Sequence, residues 1–312
     1  MVKAAATLSI FIFASSCGRY EDFTRISGEV QPVSWGWTAE ASPVFWDPSA
    51  IDTLNPSVAN GKLFYSTFDG KVWHTGLDLQ TVLSPDPKTW EGEYIAANGS
   101  VVYLNGEYLQ WYHGAGPSIP RIGLARSKDG KVWEKHPQPV LDTGPRGSWD
   151  ERGVADPYVI DFKGELLMFY LGQDRAHRQR LGVARSPDGI HWTKLVSNPV
   201  LEKGNPQEFD ELGLGEPAVW HSQGMWWMLY TGRDRNEIRR MGLASSRDLK
   251  AWKKIPDSVI QGDQPWNRKT VCDPHVELQT DGRVKVWFGG GDTAHPAERV
   301  HGKIGIGWLT PQ

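Results

Sequence analysis

The sequence predicts an all-β fold, a five-bladed β-propeller of four-stranded antiparallel blades, on three observations. First, RIGLARSKDGKVW (121–133), RLGVARSPDGIHW (180–192) and RMGLASSRDLKAW (240–252) superimpose, their closing Trp133, Trp192 and Trp252 lying 59 and 60 positions apart. A fixed period of that size marks a repeat architecture. Second, a related hairpin stands upstream of each: NGSVVYLNGEYLQWYHG (98–114), ADPYVIDFKGELLMFYLG (155–172) and GEPAVWHSQGMWWMLYTG (215–232). Third, 34 Gly and 21 Pro beside 16 Trp favour many short strands and turns over long helices.

Each blade reads as two hairpins in series. In the second hairpin Asp129, Asp188 and Asp248 make the turn and the Trp packs in the repeat core. A further copy is CDPHVELQTDGRVKVWFGG (272–290), and a degenerate first copy is LNPSVANGKLFYST (54–67), followed by SPDPKTW ending at Trp90. The last copy runs out after KIGIGWL (303–309), so the segment from Val33 to Thr38 is expected to supply its outer strand and close the ring.

Composition narrows the function classes. With 34 Lys+Arg against 37 Asp+Glu, the formal charge of −3 does not suit a nucleic-acid binder, and no nucleic-acid partner is expected. The 39% hydrophobic content suits a folded domain. Two cysteines, Cys17 and Cys272, exclude a disulfide scaffold and a Cys-cluster zinc site. Residues 1–16 carry one cation, Lys3, and an apolar stretch too short to span a bilayer, as in an export signal. Ala14-Ser15-Ser16-Cys17-Gly18 resembles the lipobox of bacterial lipoproteins, with Ala14 where that motif usually has Leu; an ordinary cleaved signal is the other reading. The expected organisation is a signal over 1–16, a tether and ring-closing segment over 17–40, and one propeller domain over 41–312. The expected protein is an exported bacterial monomer, periplasmic, anchored to the outer membrane or extracellular, touching a membrane only through a lipid on Cys17.

Strand parity places the candidate chemistry. The starts of the innermost strands, the loops between second and third strands and the linkers between blades all fall on one face. Asn55, Asn98, Asp156, Glu216 and Asp273 stand at those starts, one per blade, converging on the axis. Carboxylates sharing a cavity cannot all ionise normally; one is raised and becomes a general acid, the arrangement used in glycoside cleavage. The structural alternative is that Asp-Pro and Glu-Pro simply begin strands.

On these motifs the chain resembles the five-bladed propeller glycoside hydrolases of families 43 and 32, over nearly the whole mature chain. The resemblance implies that Glu216 in GLGEPAVW is the general acid and Asp156 in VADPYVID the residue that orients and tunes it. His275 in CDPHVEL matches a central His found near a metal or water in some members, so a calcium near His275 is the one cofactor it raises; otherwise none is expected. Asn55-Pro56-Ser57-Val58 departs from the family's Asp-Pro-Ser-Val, and an amide cannot serve as a carboxylate base. Asp47 and Asp52 are the nearest substitutes.

The loops 172–180 and 232–240 place Asp174-Arg175 and Asp234-Arg235 at matching positions, parity setting them beside Asp156 and Glu216. They either hold an anionic sugar or pair with each other. Trp149, with Trp35, Trp37 and Trp46, is placed to stack on sugar rings. The expected function is hydrolysis of a glycosidic bond in an oligosaccharide or polysaccharide. The alternatives are a phosphate-dependent phosphorylase, which needs only one protein acid, and a surface lipoprotein that binds glycans without turnover. Sialidases are set aside, because their turn motif spaces Asp and Gly by one residue whereas Asp188 and Gly189 are adjacent.

Overall fold

The computed structural model describes residues 34–116 and 119–312; residues 1–16, read above as an export signal, and Cys17 lie outside the described residues. Strand β1 (Trp35–Ala39) is followed by antiparallel meanders. The first is β2 (Asp52–Ala59), β3 (Lys62–Phe68), β4 (Trp73–Leu77) and β5 (Gln80–Leu83). The second is β6 (Ala96–Leu104), β7 (Glu107–Gly114), β8 (Arg121–Ser127) and β9 (Glu134–Lys135). The third is β10 (Gly153–Phe162), β11 (Glu165–Gln173), β12 (Gln179–Ser186) and β13 (Thr193–Lys194). The fourth is β14 (Gly213–Ser222), β15 (Met225–Arg233), β16 (Arg239–Ser246) and β17 (Trp252–Lys254). The last has three strands, β18 (Thr270–Leu278), β19 (Val284–Gly291) and β20 (Lys303–Pro311). Its fourth strand is β1, which pairs with β20 from Trp35 opposite Pro311 to Ala39 opposite Gly307. The innermost strands β2, β6, β10, β14 and β18 contact one another in order, and β18 meets β2.

The middle strands read as apolar runs because both faces are covered. In β11, all seven residues between Glu165 and Gln173 are buried. Leu167, Phe169 and Val183 of the third unit pack with Leu214, Val219 and Met228 of the fourth in one cluster. The Asp turns form as the sequence predicts: Asp129, Asp188 and Asp248 each accept two backbone N–H groups.

One segment departs from the sequence reading. The first unit completes itself by a tight hairpin, β4 to β5, through Asp78 and Leu79 at φ 52° and 57°. SPDPKTW is therefore a linker, and Trp90 stacks on Tyr112 of the next unit. Trp149 on Tyr170, Phe209 on Tyr230 and Trp266 on Phe288 repeat the arrangement. Each linker aromatic lies over two glycines of the sheet; a Cβ on Gly172 or Gly182 would come within 2.2 or 2.6 Å of the Trp149 ring. The acid beside each of the first three receives a lysine from the outer strand: Lys135 on Glu91 at 2.6 Å, and Lys194 on Asp150 and Lys254 on Asp210 at 2.5 Å.

The units are also tied near the axis. The residue two places after each strand-start residue accepts an N–H from a neighbour: Ser57 from Val101, Ser100 from Val159, and His275 Nε2 from Val58 at 3.2 Å. The fourth unit has Ala218 there, and Tyr158 reaches past it to accept from Val276 at 3.5 Å. His275 thus joins the last unit to the first, and burial pushes its pKa down from 6.5 to about 4. The unfolded chain takes up a proton between these values and the folded protein does not, so this contribution is whole above pH 6.5 and fades as pH falls toward 4. Urea unfolding at pH 7 and pH 5 should show wild type losing roughly 2 kcal/mol more than His275→Gln over that interval. Equal losses in the two proteins would show that His275 does not carry this dependence.

Candidate active site

Every innermost strand breaks its ladder at the same place. Register shifts fall between Leu54 and Ser57, Ala97 and Ser100, Ala155 and Tyr158, Gly215 and Ala218, and Cys272 and His275. Inside each break one residue is left-handed: Asn55 at φ 48°, Asn98 at 46°, Asp156 at 48°, Glu216 at 53° and Asp273 at 52°. Such backbone costs about 1–3 kcal/mol per residue and is best accepted by Asn and Asp. Glu216 is the costliest of the five.

The bulges direct these side chains into a common hollow. A cavity of about 200 Å³ is lined by Asn98, Asp156, Glu216 and Asp273, with His113 and Arg239 among its other walls. Beneath it the axis narrows to about 10 Å³, where Asn55 joins the three acids. The Glu216 carboxylate accepts the backbone N–H of Asp273 at 3.0 Å, and the Cys272 thiol donates to Asp273 Oδ2 at 3.0 Å. Burial pushes the Glu216 carboxyl above its ordinary range; Arg239 opposes the shift and the charge on Asp156 adds to it. Burial and Glu216 push Asp273 well above its ordinary value. Arg239 is buried too, yet the neighbouring carboxyl groups of Glu216 and Asp273 favour its charged guanidinium. Its Nη2 also donates to the carbonyls of His295, Pro296 and Ala297, fastening the 292–299 loop over the cavity.

One potential metal-ligand group is present among the described residues: Glu216, Cys272 and Asp273, with donor atoms within 4.8 Å of one another. The adjoining Arg239 charge offsets what would draw a cation there. His275 belongs to no such group, and its Nε2 is taken by Val58. Calcium needs six to eight oxygens, a set these residues do not supply.

Several sequence candidates stand elsewhere. Asp52 is fully buried, its two oxygens accepting the N–H groups of Arg299 and Gly302, so it ties the first unit to the last. Asp47 caps its own turn through Ser49. Neither lines the cavity. Arg175 and Arg235 are claimed by linker acids, Glu151 at 3.0 Å and Glu211 at 2.7 Å, whereas Asp174 pairs with Arg178 and Arg180, and Asp234 with Arg240. These pairs line separate surface hollows, because the loops turn outward over the linkers instead of toward the axis. Trp149 is a linker packing residue, while Trp35 packs edge-on to Trp220 and Trp227 and Trp37 to Phe288. Trp46 is exposed beneath the Lys303 ammonium.

Sequence reasoning missed His113, Thr231 and Arg239. A signal existed. His113, Leu171 and Thr231 precede the repeat glycines Gly114, Gly172 and Gly232 and oppose the residue before each bulge. Arg239 holds the place that Gln179 holds one unit earlier, and both line the cavity.

A model of the glycosyl hydrolases family 32 N-terminal domain matches residues 94–270. The chain belongs to this family. It is 34% identical over 172 residues to a probable sucrose-6-phosphate hydrolase of Psychromonas ingrahamii, covering 52% of this chain and 30% of that one. It is 32% identical over 139 residues to the uncharacterized protein Rv1502 of Mycobacterium tuberculosis, covering 42% and 44%. The chain therefore spans less than half the length of either relative. One solved structure superimposes with a TM-score of 0.64 at 16% identity, covering 91% of this chain and 96% of the other. Its title reads "The GH130 family of mannoside phosphorylases contains glycoside hydrolases that target beta-1,2 mannosidic linkages in Candida mannan".

In this family 32 domain the Arg239 guanidinium lies among the buried acids and donates to the loop carbonyls just described. Replacing it with Leu should strand those partners and lower unfolding stability by about 3–5 kcal/mol. Denaturant titration checks this, and a loss below about 1 kcal/mol would show that the guanidinium is dispensable.

Proposed function

We propose that this family 32 domain is a glycoside hydrolase that removes a terminal sugar from an oligosaccharide or polysaccharide. Glu216 is the general acid and Asp156 the carboxylate that keeps it protonated. The observation that carries the reading is Glu216 itself, a carboxyl raised by burial, facing a cavity and flanked by a second carboxylate. Glu216 gives its proton to the leaving oxygen as the glycosidic bond breaks, and a water supplies the new bond at the sugar carbon. A cavity of about 200 Å³ under a fastened loop suits the end of a sugar chain better than its middle. Tyr94, 38% exposed on its wall, offers an apolar ring face to a sugar.

Asn55 supports a second reading, phosphorolysis, because phosphate as the attacking group removes the need for a carboxylate base. The solved structure whose title joins phosphorylases and hydrolases shares the fold. We further propose that the protein is exported and held at a membrane surface by a lipid on Cys17.

Assaying a panel of neutral and anionic oligosaccharides, with and without phosphate, tests the assignment. Sugar release should occur without phosphate and fall at least about 100-fold in Glu216→Gln. Release only with phosphate would establish the phosphorylase, and undiminished glycan binding without any turnover would make the domain a binding module.

A further inference from the structure

We infer that His113, held by Asp156, is the general base that takes the place of the missing axial carboxylate. This rests on the hydrolase reading. Two of the five axial positions, Asn55 and Asn98, are amides and cannot take a proton from water. Asp47 and Asp52 are engaged away from the cavity. Asp273 is 3% exposed and bonded to Cys272, and its backbone N–H is bonded to Glu216, so it forms the acid's surroundings.

His113 is the group that remains. It stands on β7 opposite Ala97, at the register position held by Ser66, Leu171, Thr231 and Gly289 in the other units. Of those five side chains imidazole is the one that accepts a proton near neutral pH. Its Nδ1 is buried with no hydrogen-bond partner among the described residues and lies 3.8 Å from Asp156 Oδ1. A buried ring nitrogen without a partner is costly, and the carboxylate facing it is the group able to relieve that cost. Such contacts are often long in an empty site and tighten around substrate. With Nδ1 turned to Asp156, the other nitrogen is left for the cavity that His113 lines. The other charged walls are Glu216, Asp273, Arg233 and Arg239.

The resulting step balances. Water gives a proton to His113 Nε2 while its oxygen bonds to the sugar carbon; the glycosidic C–O bond breaks, and its oxygen takes the Glu216 proton. Asp156 faces the imidazolium so formed and also adds to the rise of Glu216. One carboxylate thereby serves both the acid and the base.

Two measurements test this. In ¹⁵N-histidine spectra of the whole protein, neutral His113 should carry its proton on Nδ1, and Asp156→Asn should shift that proton toward Nε2. On any sugar the wild type cleaves, His113→Ala should lower kcat about 100-fold or more with its thermal midpoint kept, and added imidazole should restore much of the rate. His113→Gln, closer in size, should show the same loss of rate if the Ala variant folds poorly. An Nε2–H tautomer in the wild type, full activity in either variant, or a loss in His113→Ala that imidazole leaves untouched would overturn the dyad. If Glu216→Gln keeps full activity, the hydrolase reading itself falls; if it is inactive while His113→Gln is not, the dyad alone falls.

Discussion

The left-handed residue near the start of every innermost strand is the constraint on which the site depends. A regular strand sends alternate side chains to its two faces, so none would point along the strand end toward the axis. The bulge re-aims one residue per unit, and the proline that follows in four of the five units sacrifices no ladder bond at a position already out of register. Where proline is absent, Gly99 stands instead, its would-be Cβ 2.3 Å from the carbonyl oxygen of Trp111. The strain is offset by the ring around it, because five units in contact leave no edge on which a single bulge could relax.

Two sets of bonds hold that ring. Near the axis, Ser57, Ser100, Tyr158 and His275 accept N–H groups across unit boundaries. Further out, the acids Glu91, Asp150 and Asp210 that follow the linker aromatics each meet a lysine from the outer strand over a tyrosine ring: Lys135 over Tyr112, Lys194 over Tyr170 and Lys254 over Tyr230. A buried acid would be expensive alone, and the lysine pairs with it and holds it in position. These contacts fix the linkers, so the outward turn of the neighbouring Arg and Asp loops follows from Glu151 and Glu211 capturing Arg175 and Arg235.

What was legible in the sequence was whatever the repeat wrote several times. The Trp spacing, the Asp turns and the Asn, Asp and Glu strand starts recur in register, and the structure places each of them in equivalent positions. The first unit escaped because its outer hairpin is short and lacks the Ser-x-Asp turn, leaving Trp90 to be read as a strand end. His113 and Arg239 escaped for the opposite reason: each replaces a different residue at a repeated position, so similarity between units hides them. Parity correctly placed the loops of Asp174 and Asp234 on the upper face but carried no information on which way they lean. Lean depends on distant linker acids, which local pattern does not encode.

The distribution of axial residues has its own electrostatic logic. Five carboxylates around one narrow axis would repel one another beyond what one guanidinium could offset, since the interaction of unit charges a few Å apart grows steeply as water is excluded. The chain places amides in the first and second units and acids in the third, fourth and fifth. The cavity is therefore polarised. On one side stand the raised carboxyls Glu216 and Asp273 with Arg239 beside them; on the other stand Asn55, Asn98 and the imidazole of His113. Asp156 lies between, 3.8 Å from His113 on one side and adding its charge to Glu216 on the other. Raised carboxyls facing amides and an imidazole form the asymmetry that the proposed hydrolysis uses, and it follows from which units carry an amide where the others carry an acid.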